Sequence, residues 1–546
     1  MADLHLPLRI ISKIFKDSED VKDFKLILKE IDSNQKIDIF FDRTKLQDLF
    51  FNLNPQIFST PKYREVVLDS TFNTRQCKKF LESRDINEEE ILKLTKNQII
   101  KKAANFKWGF NNETKSFIEN FGLDESLLPN DSKNISNLEE FPPAHEPYNE
   151  MFDYQNQIYF KATHLLEKPN QRFIIQVPTG GGKTKIGMEI VCNELNSKIN
   201  KKIYWLADRK ELCEQAVEAF EKIWKHKGRR KIILNRVWEA YELNSDLRGT
   251  LLIISTIGKI LEINRKNKIK LNADLIIFDE AHHASAEKYR RAIVNSSKPG
   301  TRVFGLTATP GRSYKNIEDN QKLSEMFDKE ILEIDTPKNI GVITYLQNRG
   351  ILSKPNIHKP IEIPKIKKIF TSKELKGLSK KSDYSLKDLQ KIGKNNIRNI
   401  IIIKKLIEIA EAGKQILYFG TSVAQSRLMF AAMKHKGFSG AHIESETGKE
   451  FRKDSILKFK NKKIQILFNY EVLATGFDAP SVDVVFIARP TKSPILLQQM
   501  IGRGMRGSNV GGTDEFDLYY VKDSIFDDFT NLDDLFGLFR EFFVET

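Results

Sequence analysis

Phe173-Ile-Ile-Gln-Val177 runs directly into Pro178-Thr-Gly-Gly-Gly-Lys-Thr184, and a helical pattern follows from Ile186 to Leu195. A short apolar run, a glycine-rich turn and a helix in that order read as a buried strand, a tight loop and a crossover helix. Gly180, Gly181 and Gly182, after Thr179, leave the backbone N–H groups of the loop open to wrap phosphate oxygens. The N-terminus of the helix behind them adds a favourable dipole for an anion. Lys183 has the reach for β- and γ-phosphates, and Thr184 offers a hydroxyl to Mg²⁺. Val177 stands where the general phosphate loop has its first glycine.

Outward from this loop the same texture continues. Ile203 to Ala207, Leu251 to Ile254, Leu275 to Phe278 and Val303 to Leu306 are short apolar runs, several of them separated by amphipathic helical segments. The pattern restarts at Gln415 to Phe419, Ile464 to Phe468, Val482 to Ile487 and Phe516 to Val521. Strands alternating with helices predict parallel sheets with crossover helices, here two α/β domains in series. Residues 1–140 differ. Leu26 to Ile31, and Ile91 through Leu94 to Ile100, have helical spacing, and Pro129 to Pro147 reads as a linker.

The chain has 546 residues, which at about 100–200 per domain predicts three or four domains. No run of 18 or more apolar residues predicts a membrane span, and Met1 to Ile14 lacks a signal-peptide core. Cys77, Cys192 and Cys213 are few and far apart, which argues against a disulfide framework or zinc module and suits a reducing cytoplasm. Lys plus Arg number 88 against 73 Asp plus Glu, a net charge of +15. Residues 1–150 hold 22 basic and 26 acidic side chains, so the excess lies wholly in residues 151–546. A basic surface confined to one part of a chain suits a polyanion such as nucleic acid. Lys354 to Arg398 alone carries 13 basic and 4 acidic residues. It reads either as a solvated connector or as a track along a nucleic-acid backbone.

Leu275-Ile-Ile-Phe-Asp279-Glu280-Ala281-His282 supplies the second half of a hydrolytic site. Asp279, closing an apolar strand beside the phosphate loop, can hold the water shell of Mg²⁺. Glu280 can orient and deprotonate an attacking water.

The ordered motifs now on the page resemble those of superfamily 2 helicases and translocases of the DEAH-box type, over about residues 150–525. Tyr154-Gln155 resembles the Q motif that reads adenine, although the arginine usual just upstream is missing. Arg209 to Gln215 resembles motif Ia, and Thr256-Ile-Gly258 resembles motif Ib. Leu306-Thr307-Ala308-Thr309-Pro310 resembles motif III, which couples hydrolysis to domain movement. Leu417 to Thr421-Ser422 resembles motif IV, Leu473-Ala-Thr475-Gly476-Phe477-Asp478 motif V, and Gln499 to Arg503 and Arg506 motif VI. Ala488-Arg489-Pro490-Thr491 is similar to the branch of RadD-like, XPB-like and type I restriction motor proteins.

The resemblance implies an α/β chain of two tandem RecA-like parallel-sheet domains behind an N-terminal mainly helical domain. Its boundaries would be 1–140 (helical, regulatory or partner-binding), 150–345 (ATP-binding), 346–395 (basic connector) and 396–546 (second RecA-like domain). It implies ATP and Mg²⁺ as cofactors. Tyr154, Gln155, the phosphate loop, Gly476 and Asp478 would hold the nucleotide. Arg503 and Arg506, three residues apart on a helix, would reach the γ-phosphate across the cleft. Arg209, Gln215, Thr256, Gly258, Thr421 and Thr475 would contact nucleic acid, with DNA favoured over RNA. Thr307, Thr309 and Gln499 would couple the two events. The expected activity is an ATP-dependent helicase or translocase, in a setting such as DNA repair, restriction or antiviral defence. The alternative is an ATP-gated sensor that recruits or releases an effector such as a nuclease.

Two features depart from those relatives. The chain cannot form the cysteine-rich zinc element of RadD-like proteins. Acid-x-Lys triplets such as Asp20-Val-Lys22 and Glu113-Thr-Lys115 close no clear strand, so a helical partner module is favoured over a nuclease in residues 1–150. Trp108 reads as part of an aromatic core rather than a base-stacking platform.

Overall fold

Apolar runs that lack polar alternation need cover on both faces, and crossover helices supply it. The computed structural model describes residues 61–121 except 85 and 110, residues 138–141, and residues 150–522 except 245–247, 268–270, 283–285, 312–316, most of 364–382, 446 and 475–481, together with 544–545.

In the first lobe the strands are β1 (Leu138–Phe141), β2 (Arg172–Gln176), β3 (Lys202–Ala207), β4 (Ile232–Val237), β5 (Leu251–Thr256), β6 (Ala273–Asp279), β7 (Ser297–Thr307) and β8 (Glu330–Leu332). They lie in the order β1-β4-β5-β3-β6-β7-β2-β8. All pair parallel except β1, which runs antiparallel along β4. Ile203, Trp205, Leu252, Ile254, Leu275, Ile277, Phe304 and Leu306 bury on one face, and Tyr204, Leu206, Ile253, Ile276 and Phe278 on the other.

The second lobe contains β9 (Lys354–Ile357), β10 (Ile361–Glu362), β11 (Ile416–Phe419), β12 (Gly440–Ile443), β13 (Ile466–Asn469), β14 (Val484–Ile487) and β15 (Glu515–Lys522). Their order is β10-β15-β14-β11-β13-β12, with β9 also on β15, and every pairing is parallel. A last strand, β16 (Val544–Glu545), returns to the first lobe and pairs with β8. These are the two RecA-like parallel-sheet lobes expected from the sequence.

Part of the basic segment after residue 346 is thereby woven into the second sheet as β9 and β10. Lys354 N donates to Asp514 O at 2.8 Å and His358 stacks on Tyr519 at 4.0 Å between ring centres. The 129–148 stretch likewise contributes β1 rather than linker alone.

Residues 61–121 are helical. The expected run from Ile91 to Ile100 is two helices, Glu88–Leu92 and Lys96–Ala104. Thr95 restarts the helix, with its backbone N–H and its hydroxyl both donating to Gln98 Oε1 at 2.9 Å. Phe80, Phe106, Phe117 and Phe121 form the core, and Trp108 packs edge-on against Phe117 at 5.9 Å. Trp108 is half-buried and packs against this aromatic core; Phe110 and the Leu26–Ile31 run lie outside the described residues. Arg64 is fully buried and donates to the Ala104 and Phe106 carbonyls at 2.8 and 2.6 Å. All three cysteines are buried free thiols. Among the described residues no helix is long and apolar enough to cross a membrane.

Candidate active site

The phosphate loop is built as its residues require. Gly182 caps the helix Lys183–Ser197 in the left-handed region, at φ +86° and ψ +30°. Gly180 is also left-handed, at φ +88°. Tyr154 and Gln155 grip this loop from the helix Asp153–Leu165. The Tyr154 hydroxyl donates to the Gly181 carbonyl at 2.8 Å, and Gln155 Nε2 donates to the same oxygen at 3.2 Å. Gln155 Oε1 accepts from the Phe152 N–H at 3.1 Å. Both ends of the amide are therefore engaged with protein. Burial pushes the Tyr154 hydroxyl far above its usual range.

A Cβ added at Gly182 would sit 2.3 Å from Gln155 Nε2, and its backbone is one that alanine resists. We expect Gly182→Ala to weaken ATP binding by roughly tenfold or more, from about 1–2 kcal/mol of left-handed strain before the clash is counted. Titration with a fluorescent ATP analogue checks this, and parental affinity would show that the loop tolerates a side chain.

β6 carries Asp279 to the carboxyl edge of the sheet, and Glu280 follows at φ +48°. A left-handed backbone on a non-glycine residue is costly, and here it sits directly after the strand end that carries Asp279. Glu280 Oε1 lies 3.7 Å from Lys183 Nζ, with both side chains about nine-tenths buried. Glu280 Oε2 is buried without a hydrogen-bond partner. Full burial, with the Glu280 carboxylate beside it, pushes the Asp279 carboxyl above the usual carboxylate range, while Lys183 pulls the other way. A divalent cation stabilises such a carboxylate in its charged form. The buried Asp279 carboxylate suits a divalent cation, to which Thr184, next to Lys183 at the start of the helix, would add a hydroxyl. No larger cluster of metal-ligating side chains exists among the described residues.

His282 links this site to the second lobe. Thr307 Oγ1 donates to the Thr309 carbonyl at 2.7 Å, so it accepts from His282 Nδ1 at 2.8 Å. The tautomer this sets leaves His282 Nε2 to accept from Gln499 Nε2 at 3.4 Å. Thr307, Thr309 and Gln499 are thus joined through a histidine to which the sequence assigned no role. Its signal was its place at the end of the acidic motif. His283 lies outside the described residues.

Motif VI meets the phosphate loop across the cleft. A Cβ on Gly502 would fall 2.5 Å from Thr179 Cγ2, and one on Gly180 would fall 2.9 Å from the Met505 carbonyl oxygen. The helix Pro494–Ile501 ends at Gly502, so Arg503 and Arg506 are not on one helical face as expected. Gly504, packed against Phe516 and Val485, carries the chain on as a turn. Arg503 Nε donates back to the Gln499 carbonyl at 3.3 Å.

The expected nucleic-acid contacts divide. Arg209 and Thr256 follow or end the neighbouring strands β3 and β5, whose register sets Ala207 opposite Thr256. Gly258 is exposed with open space around it, and Gln215 is half-buried on the helix Lys210–Lys227. Thr421 is different. It is fully buried, accepts from Arg398 at 2.7 Å and donates to the Ala488 carbonyl at 2.8 Å. Arg398, itself buried, consumes the hydroxyl inside the lobe, so no motif IV contact is available from this side chain. Thr475, Gly476 and Asp478 lie outside the described residues.

Two parallel-sheet lobes, with a phosphate loop on one facing an arginine-bearing loop on the other, define a two-lobed fold of the nucleotide-binding helicase class. The chain matches the type III restriction enzyme res subunit family over residues 149–312 and the helicase conserved C-terminal domain over residues 398–508. It belongs to the superfamily 2 helicases, with a first lobe of the restriction-enzyme kind. It is 29% identical over 370 residues to a putative ATP-dependent helicase, IRC3, of Saccharomyces cerevisiae, covering 65% of this chain and 49% of that one. It is 27% identical over 347 residues to putative helicase 22 of a Sulfolobus islandicus filamentous virus, covering 61% and 58%. The chain thus spans about half of the length of these curated relatives. Among solved structures, a fragment of a putative HsdR subunit of a type I restriction enzyme from Vibrio vulnificus aligns with TM-score 0.48 at 19% identity, over 73% of this chain and 68% of that one.

Proposed function

We propose that this chain hydrolyses ATP with Mg²⁺ to translocate along or remodel DNA. The observation that carries this is the buried Lys183–Glu280 pair lying in the cleft that motif VI closes from the second lobe. The reaction is phosphoryl transfer to water, in which positioning and charge neutralisation supply the rate. Lys183 neutralises the β- and γ-phosphates, and Glu280 Oε2 takes the proton of the attacking water. Arg503 and Arg506 stabilise the transferring group only when the lobes close. Thr184 and Asp279 would hold Mg²⁺, which would supply neutralising charge to the phosphate oxygens. Closing and reopening alternates the grip of the two lobes on a sugar–phosphate track. Backbone contacts carry no base code, so sequence preference should be weak.

The deciding experiment is the ATPase rate with single-stranded DNA, duplex DNA, forks and RNA. Stimulation by RNA alone would replace DNA with RNA as the track, and no stimulation by any of them would sink the motor assignment. The excess positive charge of residues 151–546 should also make binding steeply salt-dependent. With six or more phosphates neutralised, affinity should fall roughly 10³-fold or more between 50 and 200 mM salt. Fluorescence anisotropy at several salt concentrations checks this, and an affinity insensitive to salt would refute it. Residues 61–121, with an aromatic core of their own, are proposed to bind a protein partner.

A further inference from the structure

Three side chains at the crest of the cleft take no part in ATP chemistry. Arg209 follows β3 in the first lobe, while Glu471 follows β13 and Arg489 follows β14 in the second. The carboxyl ends of parallel strands are where such sheets bind ligands. Glu471 Oε1 accepts from Arg209 Nη2 at 3.2 Å, and its Oε2 accepts from Arg489 Nη1 at 3.2 Å. One carboxylate therefore spans two guanidiniums from different lobes. All three line a cavity of about 260 Å³, with His282, Asp383 and Gln499 also in its wall.

Arg489 is only 7% exposed, and its Nε is buried without a hydrogen-bond partner. Its guanidinium lies over Tyr470, 4.3 Å from the ring centre, which fixes the plane of the fork. Asp383 is committed elsewhere, accepting from Lys492 N at 2.8 Å and Thr491 Oγ1 at 3.1 Å. Glu471 is thus the one acid in this wall that faces both arginines. Burial works against its charge, yet the Arg489 and Arg209 guanidiniums outweigh burial and hold the carboxyl below its usual range.

A carboxylate and a phosphodiester are alike in the respects that matter here. Each is a monoanion that offers two oxygens to a guanidinium fork. We propose that Arg209 and Arg489 form a notch for one backbone phosphate of the nucleic acid, and that Glu471 is the internal occupant which the strand displaces. This rests on the nucleic-acid assignment above, and it adds Arg489 and Glu471 to the contacts expected from the sequence. It also makes nucleic-acid binding exchange an interlobe ion pair for a phosphate held by both lobes.

The test compares the full chain with Glu471→Gln, Arg489→Gln and the double variant, by anisotropy of a labelled oligonucleotide across a salt series and by thermal melting. If Glu471 fills the notch about nine times in ten, removing its charge tightens apparent affinity about tenfold. Arg489→Gln should weaken binding and flatten the plot of log affinity against log salt by about 0.7–0.9. The double variant should bind like Arg489→Gln, because the freed notch has lost half of its fork. Glu471→Gln that binds no tighter, or only melts earlier with an unchanged salt slope, makes the ion pair a scaffold and overturns the proposal. Inorganic phosphate is titrated in parallel as an inhibitor of ATP turnover. Variants that change phosphate inhibition but not oligonucleotide binding would assign the notch to released phosphate and overturn the backbone role. Absence of binding by the parental chain would refute the nucleic-acid assignment itself, whereas parental binding with unchanged variants refutes the notch alone.

Discussion

Arg506→Ala is expected to lower ATP turnover by roughly 10³- to 10⁵-fold while leaving ATP affinity within a few-fold. The geometry behind this is backbone against backbone. Gly502 lies against Thr179, and the Met505 carbonyl lies against Gly180 of the phosphate loop. Arg506 therefore leaves the chain one residue beyond an atom that touches the loop. A planar fork can meet two phosphoryl oxygens at once, and an ammonium cannot, so Arg506→Lys should rescue poorly. Arg503→Ala should act in the same direction. Its side chain also holds the end of the helix Pro494–Ile501 through Gln499, so part of its loss will be positional. Single-turnover hydrolysis, ATP-analogue titration and thermal melting separate these effects. An Arg506→Ala protein that melts early yet turns over normally once folded would make the arginine structural.

Glu280→Gln should retain ATP and lose about 10²- to 10⁴-fold in turnover, the range a positioned general base supplies. The substitution keeps size and removes the charge at Oε2, a buried oxygen without a hydrogen bond that lies 3.6 Å from His282 Nδ1. Lys183→Ala should instead lose ATP affinity together with turnover, because it deletes the cation facing the phosphates. The pair thus separates binding from chemistry. Parental hydrolysis by Glu280→Gln in the presence of nucleic acid would remove Glu280 from the mechanism.

Those predictions rest on sites that were legible because they are local. The glycine loop and the acidic strand end are contiguous, and the apolar runs that flank them are buried on both faces. Nine strands stand out as apolar runs, although β15 is buried mainly at alternate residues. β4 does not, since Asn235 and Arg236 interrupt it; both are buried, with Arg236 paired to Glu221. β12, Gly-Ala-His-Ile, is too short and mixed to register. β9 and β10 sit in a stretch dominated by lysine and proline, and only pairing with β15 makes them strands. The site divides likewise. Arg209 and Glu471 are 262 residues apart, and no local pattern announces their ion pair. Thr421 matched motif IV in type, yet its environment is set by Arg398 from a helix 23 residues earlier. Arg503 and Arg506 have helical spacing, but Gly502 ends the helix before them.

β1 and β16 flank the two-lobe core in sequence, and both are stitched to the first lobe. Under the motor proposal, that lobe is the fixed frame against which the other would move. A load attached through β1 or β16 would then move with the first sheet. A dye pair placed on the two flanks would be blind to the ATP cycle, however large the stroke. Tension applied between the flanks would be borne by the first sheet and would peel its edge strands before it drew the lobes apart. Any cargo that must feel the stroke has to be held by the second lobe, or by the track itself.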